Sequence, residues 1–463
     1  MSAGAQTTAT YDAILKDIYS DEFFETLNKE TKLFSQFKKG VFKFEGRRIV
    51  FPIHTGRNTS VGAFAPGGAT NQAGKQDYVD GFLDVKSVGG KLQVDRDLVK
   101  RAPGKGAGAF AAAMTSEMER LREDMIFKED QYAVAGGTIK GYTNEHKATN
   151  ASGGAFVGGG AANDGADVTF EYSGDFTPFL SVVAATTNTW VRIRAWRMDT
   201  YAEILAAGGA GTNAIFVKDF SVANGTLTIA SVAGGAGAIW TTVPTGAGFA
   251  IAIGLHATQL QDGLAVNFGT VNAAFVLEPS GVFDYLGLPT YLTIDRTTAT
   301  GTVLLQATCK TQATAGGHAR AAPTAVRMQS IQDDIFLLGG KNADAIWINP
   351  KMRQQYIALT TAVTQLQVAR TGGASDPSVD DSMLHFGGLK LTTAQHIPRG
   401  MFIYLTLDTW ATAELDKMHF ADEGGGIIQR VPGFDSLEAE VLHRYNHICK
   451  RPNCNGLLTG VTY

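Results

Sequence analysis

The sequence predicts an α+β chain with a long projecting hairpin and an inserted β-rich segment. Three observations carry that expectation. First, a turn-rich stretch, HTGRNTSVGAFAPGGATNQAGKQDYVD from His54 to Asp80, interrupts strand-like sequence on either side. Second, the segment from about Gly106 to Ala135 repeats apolar residues at helical spacing over its whole length. Third, short strand-like segments dominate residues 171 to 278, after which mixed α/β sequence resumes.

At 463 residues the chain is long enough for two or more domains and a substantial core. Glycine accounts for 54 residues, well above the usual ~7%, so turns and loops are abundant. The net charge is −4, from 40 basic and 44 acidic residues, with no block of Lys or Arg of the kind that binds nucleic acid. Any DNA contact is expected to be weak. Three cysteines, Cys309, Cys449 and Cys454, are too few for a disulfide framework and point to a reducing, intracellular setting. The opening MSAGAQTTATYDAILKD has neither the early basic residues nor the apolar core of a secretory signal. No apolar run is long enough for a membrane span, so no membrane partner is expected.

Along the chain, Tyr11, Ile14, Leu15, Ile18, Phe23, Leu27, Phe34 and Phe37 predict an amphipathic helix over residues 11 to 38. Its apolar stripe needs a cover, either its own domain or a neighbouring subunit. RRIVFPI (Arg47 to Ile53) and FLDVKSVGGKLQVD (Phe82 to Asp95) read as the rails of a long hairpin. With roughly 13 residues per rail, its tip would stand about 40 Å from the base. A lone two-stranded ribbon is marginal in water, so it should lie on another surface, most plausibly a second copy.

In the long helix, Phe110, Met114, Met118, Leu121, Met125 and Tyr132 form the apolar side. Glu117, Arg120, Glu123, Asp124, Lys128 and Glu129 cover the other, and Gly136-Gly137 stops it. About 30 residues at 1.5 Å each span roughly 45 Å. Residues 140 to 170 are turn-rich. WVRIRAWRM, AIFVKDFSVANGTLTIASV and GFAIAIG then read as strands, with Asn224-Gly225 as a hairpin turn. TAVRMQSIQDDIFLLGGKNADAIWINPKMRQQYIALTTAV reads as helix, glycine stop, buried strand and second helix. Val326, Ile331, Ile335 and Leu338 are placed on one helical face, and Ile346, Trp347 and Ile348 in the strand. The C-terminal segment reads as strands of an α+β unit.

Catalytic patterns fail. A phosphate-binding P-loop needs Gly, four residues, then Gly-Lys-Ser/Thr; here Gln76 follows Gly74-Lys75 and Ala69 stands at the first glycine. PGKGAGAF (Pro103 to Phe110) opens a helix, but a helix too long, with its acids inside it, for a dinucleotide site. His443, His447, Cys449 and Cys454 cluster near the C-terminus, with the histidines at helical spacing, yet no Cys-x-x-Cys pair accompanies them. Asp95-Arg96-Asp97 and Asp295-Arg296 read as structural ion pairs or helix starts, and Asp333-Asp334 as a solvated helix face. Neither Gly-x-Ser-x-Gly nor His-Glu-x-x-His occurs. The chain is therefore expected to be no enzyme, with no catalytic, cofactor or metal residues assigned.

The order of these parts resembles the major capsid proteins of tailed double-stranded DNA bacteriophages. Three stretches carry the resemblance most: TKLFSQFKKGVFKFEGRRIVFPIHTGRN, which looks like the family's arm entering its extended loop; GKNADAIWINPKMRQQYIAL, like its axial helix-strand-helix; and FGGLKLTTAQHIPRGMFIYL with GGGIIQRVPGFDSLEAEVLHRYNHICKRPNCNGLLTGV, like its closing segment. The resemblance implies an N-terminal arm over 1–45 and an extended loop hairpin over 46–100. It implies a peripheral domain over 101–170 and 400–463 with its spine helix at about 106–135, an inserted β-rich domain over 171–278, and an axial domain over 279–399.

It further implies a structural protein that self-assembles as pentamers and hexamers into an icosahedral shell enclosing packaged double-stranded DNA. Such a shell is located in the virion capsid and assembled in the host cytoplasm. The implied partners are copies of itself, a separate scaffolding protein, a portal, decoration proteins, and DNA touched weakly on the inner face. Inter-subunit contact candidates are Phe23, Phe24 and Phe34 in the arm and Arg57, Phe64, Lys75 and Tyr78 in the loop. Some relatives cross-link a loop lysine to a neighbour's asparagine; no motif places that pair here, and Lys75 is the candidate. The alternatives are a nanocompartment shell protein, which shares the fold, and a β-rich surface-layer protein.

Overall fold

A computed structural model describes residues 33–40, 49–64, 66–95, 106–136, 139–143, 168–174, 176–182, 190–197, 215–231, 251–255, 287–293, 306–312, 321–368, 384–422, 428–431 and 433–461. The chain divides into two units, Met1–Glu30 and Thr31–Tyr463. Phe23, Phe24 and most of the predicted amphipathic helix lie outside the described residues. Where that helix was predicted to end, the chain instead makes a short 3-10 turn, Phe34–Gln36, and strand β1, Lys38–Gly40. The physical reason is burial on both sides of the turn: Leu33 and Phe37 both enter the core, and Phe37 has extended backbone that feeds β1.

Among the described residues the second unit is a mixed α+β structure of three larger sheets and one two-stranded ribbon. The six-stranded sheet runs β12 (Thr308–Thr311), β20 (Gly456–Thr459), β16 (Phe402–Leu405), β13 (Ala345–Ile348), β15 (Leu389–Thr393), β14 (His385–Phe386). Its inner strand β13, AIWI, is buried at all four positions, because helices or strands cover both faces. Ile346 and Ile348 face Met328, Ile331 and Ile335 of helix α3 (Ala325–Gly339) and Met352 and Tyr356 of helix α4 (Pro350–Val368). Ala345 and Trp347 face the opposite way. They join Tyr291 and Leu292 of the short helix α2 (Leu288–Thr293), Ala133 and Val134 of helix α1 (Gly106–Ala135), and Trp410.

Helix α3 begins at Thr324, whose side chain accepts the Arg327 N–H, and ends at Gly340 in the left-handed region, φ 67°. Its buried stripe is Met328, Ile331, Gln332, Ile335 and Gly339. This corrects the predicted face. Val326 is 81% exposed and Leu338 also lies outside, because the run Ile335-Phe336-Leu337-Leu338 wraps the helix and only its first residue can point inward. The start, glycine stop, strand and second helix follow the sequence as read.

The five-stranded sheet runs β1, β17 (Trp410–Phe420), β19 (Ser436–Cys449), β18 (Ile428–Arg430), with β4 (Lys86–Asp95) on the other flank of β19. Strand β1 pairs in parallel with β17, Lys38 opposite Ala411. Helix α1 lies against this sheet. Gly90 of β4 permits the approach: a Cβ there would stand 3.0 Å from Leu121 Cδ1 and 3.6 Å from Met125 Cγ. The helix has the predicted bounds and stops at Gly136, φ 85°, whose N–H bonds the Tyr132 carbonyl.

Its buried side in the last turns is not purely apolar. Met125, Glu129, Asp130, Ala133 and Val134 all face inward. Glu129, predicted on the solvated side, is 2% exposed, because it shares the face of Met125 and Ala133 at i±4 and meets a histidine there.

A seven-stranded antiparallel sheet runs β6 (Val168–Glu171), β10 (Thr226–Ser231), β9 (Ile215–Ser221), β8 (Val191–Arg197), β11 (Ile251–Leu255), β5 (Ile139–Thr143), β7 (Ser173–Gly174). The β9–β10 hairpin turns through Asn224 and Gly225, φ 64°. The sheet takes in β5 and β6 from before residue 171, so the β-rich segment shares its sheet with the chain leaving the spine helix. No helix among the described residues is long and apolar enough to cross a membrane.

Candidate assembly interface

The ribbon consists of β2 (Ile49–Gly56) and β3 (Asp77–Leu83), antiparallel from Ile49 opposite Leu83 to Gly56 opposite Asp77. The predicted second rail is therefore corrected. Only Phe82 and Leu83 of FLDVKSVGGKLQVD belong to the ribbon, and Lys86–Asp95 leaves it to pair with β19 over ten residues. A ten-residue ladder inside a packed sheet outweighs a further stretch of isolated ribbon. At about 3.3 Å per residue, the eight-residue rail reaches roughly 26 Å, shorter than expected.

The ribbon is fastened at one end. Leu83, fully buried, and Ile49 pack on Ala411 and Ala413 of β17 and Ile448 of β19. Asn446 Nδ2 donates to the Asp84 carbonyl at 2.7 Å just past the rail. Beyond that root, no third strand joins β2 and β3 among the described residues. Pro52, exposed in β2, removes a backbone donor where an edge strand tolerates the loss.

The loop between the rails is ordered by its own short bonds. Asn58 Oδ1 accepts the Ser60 N–H at 2.8 Å, and Asn71 Nδ2 donates to the Gly62 carbonyl at 2.6 Å. Gly74 closes the loop: a Cβ there would lie 2.4 Å from Asn58 Oδ1 and 2.7 Å from the Ser60 nitrogen. Tyr78 donates its hydroxyl to Gln76 Oε1, and its ring lies 5.2 Å from His54. Lys75 pairs with Asp77 at 3.6 Å in full solvent, an interaction of little energetic weight.

What remains is apolar surface facing water. Phe64 and Tyr78 are more than half exposed, as is Val61 at 86%; Val50 is half exposed, and Arg57 is exposed beside them. The sequence reading had Arg57, Phe64, Lys75 and Tyr78 and missed Val50 and Val61. Alternation along the rail could have found Val50; nothing local marks Val61.

Phe34 separates from this group. Its ring packs within the chain against Tyr445 at 5.3 Å and Phe37 at 6.2 Å, and its N–H donates to Asp130 Oδ1 at 2.8 Å. Phe37 stacks on Trp410 at 5.4 Å, 15° from parallel. The arm root thus spends much of its aromatic surface on its own body, with Phe34 left partly exposed.

The C-terminal cluster of His443, His447, Cys449 and Cys454 sits on strand β19 and the turn after it, not on a helix. His443 Nδ1 and Glu129 Oε1 are 2.6 Å apart, and His443 Nε2 is 3.8 Å from Glu414 Oε1. Cys449 Sγ receives a hydrogen bond from Asn455 Nδ2 at 3.3 Å. Cys454 lies against the Gly339 carbonyl, and burial raises its thiol pKa above the usual value. Among the described residues no group of three or more His, Cys, Asp or Glu is placed to hold a metal. Asp333 accepts from Gln329 Nε2 at 2.7 Å on the exposed helix face, and Asp334 pairs with Lys310 at 2.6 Å.

No protein-family model and no curated protein matches this sequence. Solved structures do. A chain of the cyanophage A-1(L) capsid asymmetric unit is 12% identical, with 99% of this chain and 100% of that one covered and a TM-score of 0.47. The capsid of cyanophage P-SCSP1u gives 10% identity, 98% and 95% coverage and a TM-score of 0.44. The capsid of a native GTA particle gives 9%, 100% of both chains and 0.43. These neighbours are capsid proteins.

Proposed function

We propose that this chain is a structural major capsid protein of a tailed double-stranded DNA bacteriophage, assembling as pentamers and hexamers into an icosahedral shell around packaged DNA. The observation that carries this reading is the ribbon. It is rooted on its own sheet through Ile49 and Leu83, then exposes Val50, Val61, Phe64 and Tyr78 with no third strand beside it. A two-stranded ribbon of this kind gains its missing burial from a second surface, and a neighbouring copy supplies one at every subunit of a closed symmetric array. Many such contacts, each weak, add through avidity.

In this reading the five-stranded sheet with α1 is the peripheral domain, and the six-stranded sheet with α3 and α4 is the axial domain. The seven-stranded sheet is the inserted domain. The contact residues are Arg57, Phe64, Lys75 and Tyr78, joined by Val50 and Val61, with Phe23 and Phe24 of the arm as further members. A net charge of −4 suits a wall along which DNA slides without being held, since dense basic contacts would bind phosphates tightly. The remaining partners are a scaffolding protein, a portal and decoration proteins, the location is the virion capsid, and assembly takes place in the host cytoplasm.

The test is co-expression with its scaffolding partner, followed by negative-stain microscopy. Closed particles are expected. Replacing residues 57–76 by a two-residue turn keeps both rails and should leave a folded monomer that forms no particles. A full-length chain that stays monomeric with its scaffold would refute the reading. So would a shortened ribbon that unfolds the monomer, since the loop would then belong to its own core.

A further inference from the structure

Two consecutive acids near the end of α1 bind two different parts of the molecule. Glu129 meets His443 and ties the helix to the five-stranded sheet. Asp130, 1% exposed, turns elsewhere. Its Oδ1 accepts the Phe34 N–H at 2.8 Å, across 96 residues of sequence. Its Oδ2 faces His396 Nε2 at 3.9 Å. His396 lies in the segment between β15 and β16 of the six-stranded sheet, and its ring stands edge-to-face on Phe127 of α1 at 4.6 Å. One buried carboxylate therefore touches both the arm root and the axial loop.

We propose that Asp130 is a latch that holds the arm root on the body of the chain and couples its release to the position of the β15–β16 segment. A carboxylate this deeply buried depends on the protein groups around it, because water cannot replace a lost partner. Shifting His396 away removes the group that faces Oδ2 and lets the carboxylate turn, which weakens its bond to the Phe34 N–H. The remaining hold on the arm root is the packing of Leu33, Phe34 and Phe37 and three residues of parallel pairing between β1 and β17. Short pairing of that kind opens readily once its flank is freed.

Trypsin reads the latch directly in the full-length chain, because Lys38 and Lys39 lie within β1. Cleavage there requires the arm root to lift. Asp130→Ala removes both contacts and is expected to speed this cleavage about tenfold or more. His396→Ala, which leaves the Phe34 bond in place, should speed it several-fold. The double variant should cleave no faster than Asp130→Ala alone, since both act through one group. Glu129→Gln perturbs an equally buried acid on the same helix without touching the arm, and should stay within about twofold of the parent rate.

Equal acceleration by Glu129→Gln would reduce Asp130 to general stability and overturn the proposal. An unchanged rate in His396→Ala, or fully multiplicative single effects, would overturn the coupling. Should Asp130→Ala fail to fold, Asp130→Asn keeps an oxygen for Phe34 while dropping the charge toward His396. It is expected to raise the rate about threefold, and no change would overturn the proposal.

Discussion

Asn455 offers the sharpest test of how the core is held together. It is fully buried, and every polar atom of its side chain is engaged. Oδ1 accepts the Thr406 N–H at 2.9 Å and the Trp410 Nε1–H at 3.1 Å. Nδ2 donates to the Arg451 carbonyl at 3.1 Å, Thr409 Oγ1 at 3.2 Å and Cys449 Sγ at 3.3 Å. These bonds join the turn before β17, the end of β19 and the start of β20, where the five- and six-stranded sheets meet.

Asn455→Ala leaves two donors orphaned in groups that are themselves fully buried, Thr406 and Trp410. Each costs about 1–3 kcal/mol, so the expected loss is about 2–6 kcal/mol. Thr409 is spared in part, because its hydroxyl still donates to the Thr406 carbonyl. With a urea slope of about 3 kcal/mol per molar, the unfolding midpoint should fall by about 0.7–2 M. The assay is urea unfolding followed by far-UV circular dichroism, with Asn71→Ala as a control. Asn71 makes one exposed bond in the ribbon loop and should shift stability by less than about 0.5 kcal/mol. If Asn455→Ala falls within that same margin, the buried network is not what secures this junction.

Gly339→Ala should cost about 1–3 kcal/mol by thermal unfolding, because its Cβ would meet the Asn453 carbonyl oxygen and Cys454 Sγ at 2.9 Å. The clash is with backbone that Arg451 and Asn453 hold in place by capping the helix end, so it cannot relax cheaply. Alkaline pH should weaken the fold. Burial raises the Cys454 thiol above its usual 9.0 and the Tyr356 and Tyr404 hydroxyls above 10.0. The folded chain then keeps protons that the unfolded chain releases, so stability is intact below about pH 9 and falls above it, by at most about 1.4 kcal/mol per pH unit per group. Unfolding midpoints measured from pH 8 to 11 should fall steadily, and a flat profile would contradict the burial of these groups.

The arm root shows where local reading stops. Phe34 and Phe37 fit a helical period, yet the chain turns after Gln36 because Phe37 finds Trp410 and β1 finds β17, more than 370 residues away in sequence. Likewise, nothing within KSVGGKLQVD distinguishes a ribbon rail from a partner of β19; the choice was made by the longer ladder and by Gly90 letting Leu121 and Met125 close over it. Of the exposed ribbon surface, Arg57, Phe64, Lys75 and Tyr78 lay within the overlong turn-rich excursion that the sequence shows, whereas the exposure of Val50 and Val61 emerges only once the root at Ile49 and Leu83 is seen.

By itself the sequence determined the elements whose cause is local. The spine helix runs its periodic length to Gly136, α3 ends where Gly340 can take a positive φ, Asn224-Gly225 turns a hairpin, and AIWI forms a strand buried on both faces. Tertiary structure alone decided which strands pair and which polar residues are buried. Glu129 reads as a solvated helix acid until His443 arrives from a distant strand, and Asp130 beside it is buried against His396 and the Phe34 N–H. Periodicity and turn chemistry act within a few residues, while the cost of burying a charge is met only by partners that the fold brings in from elsewhere.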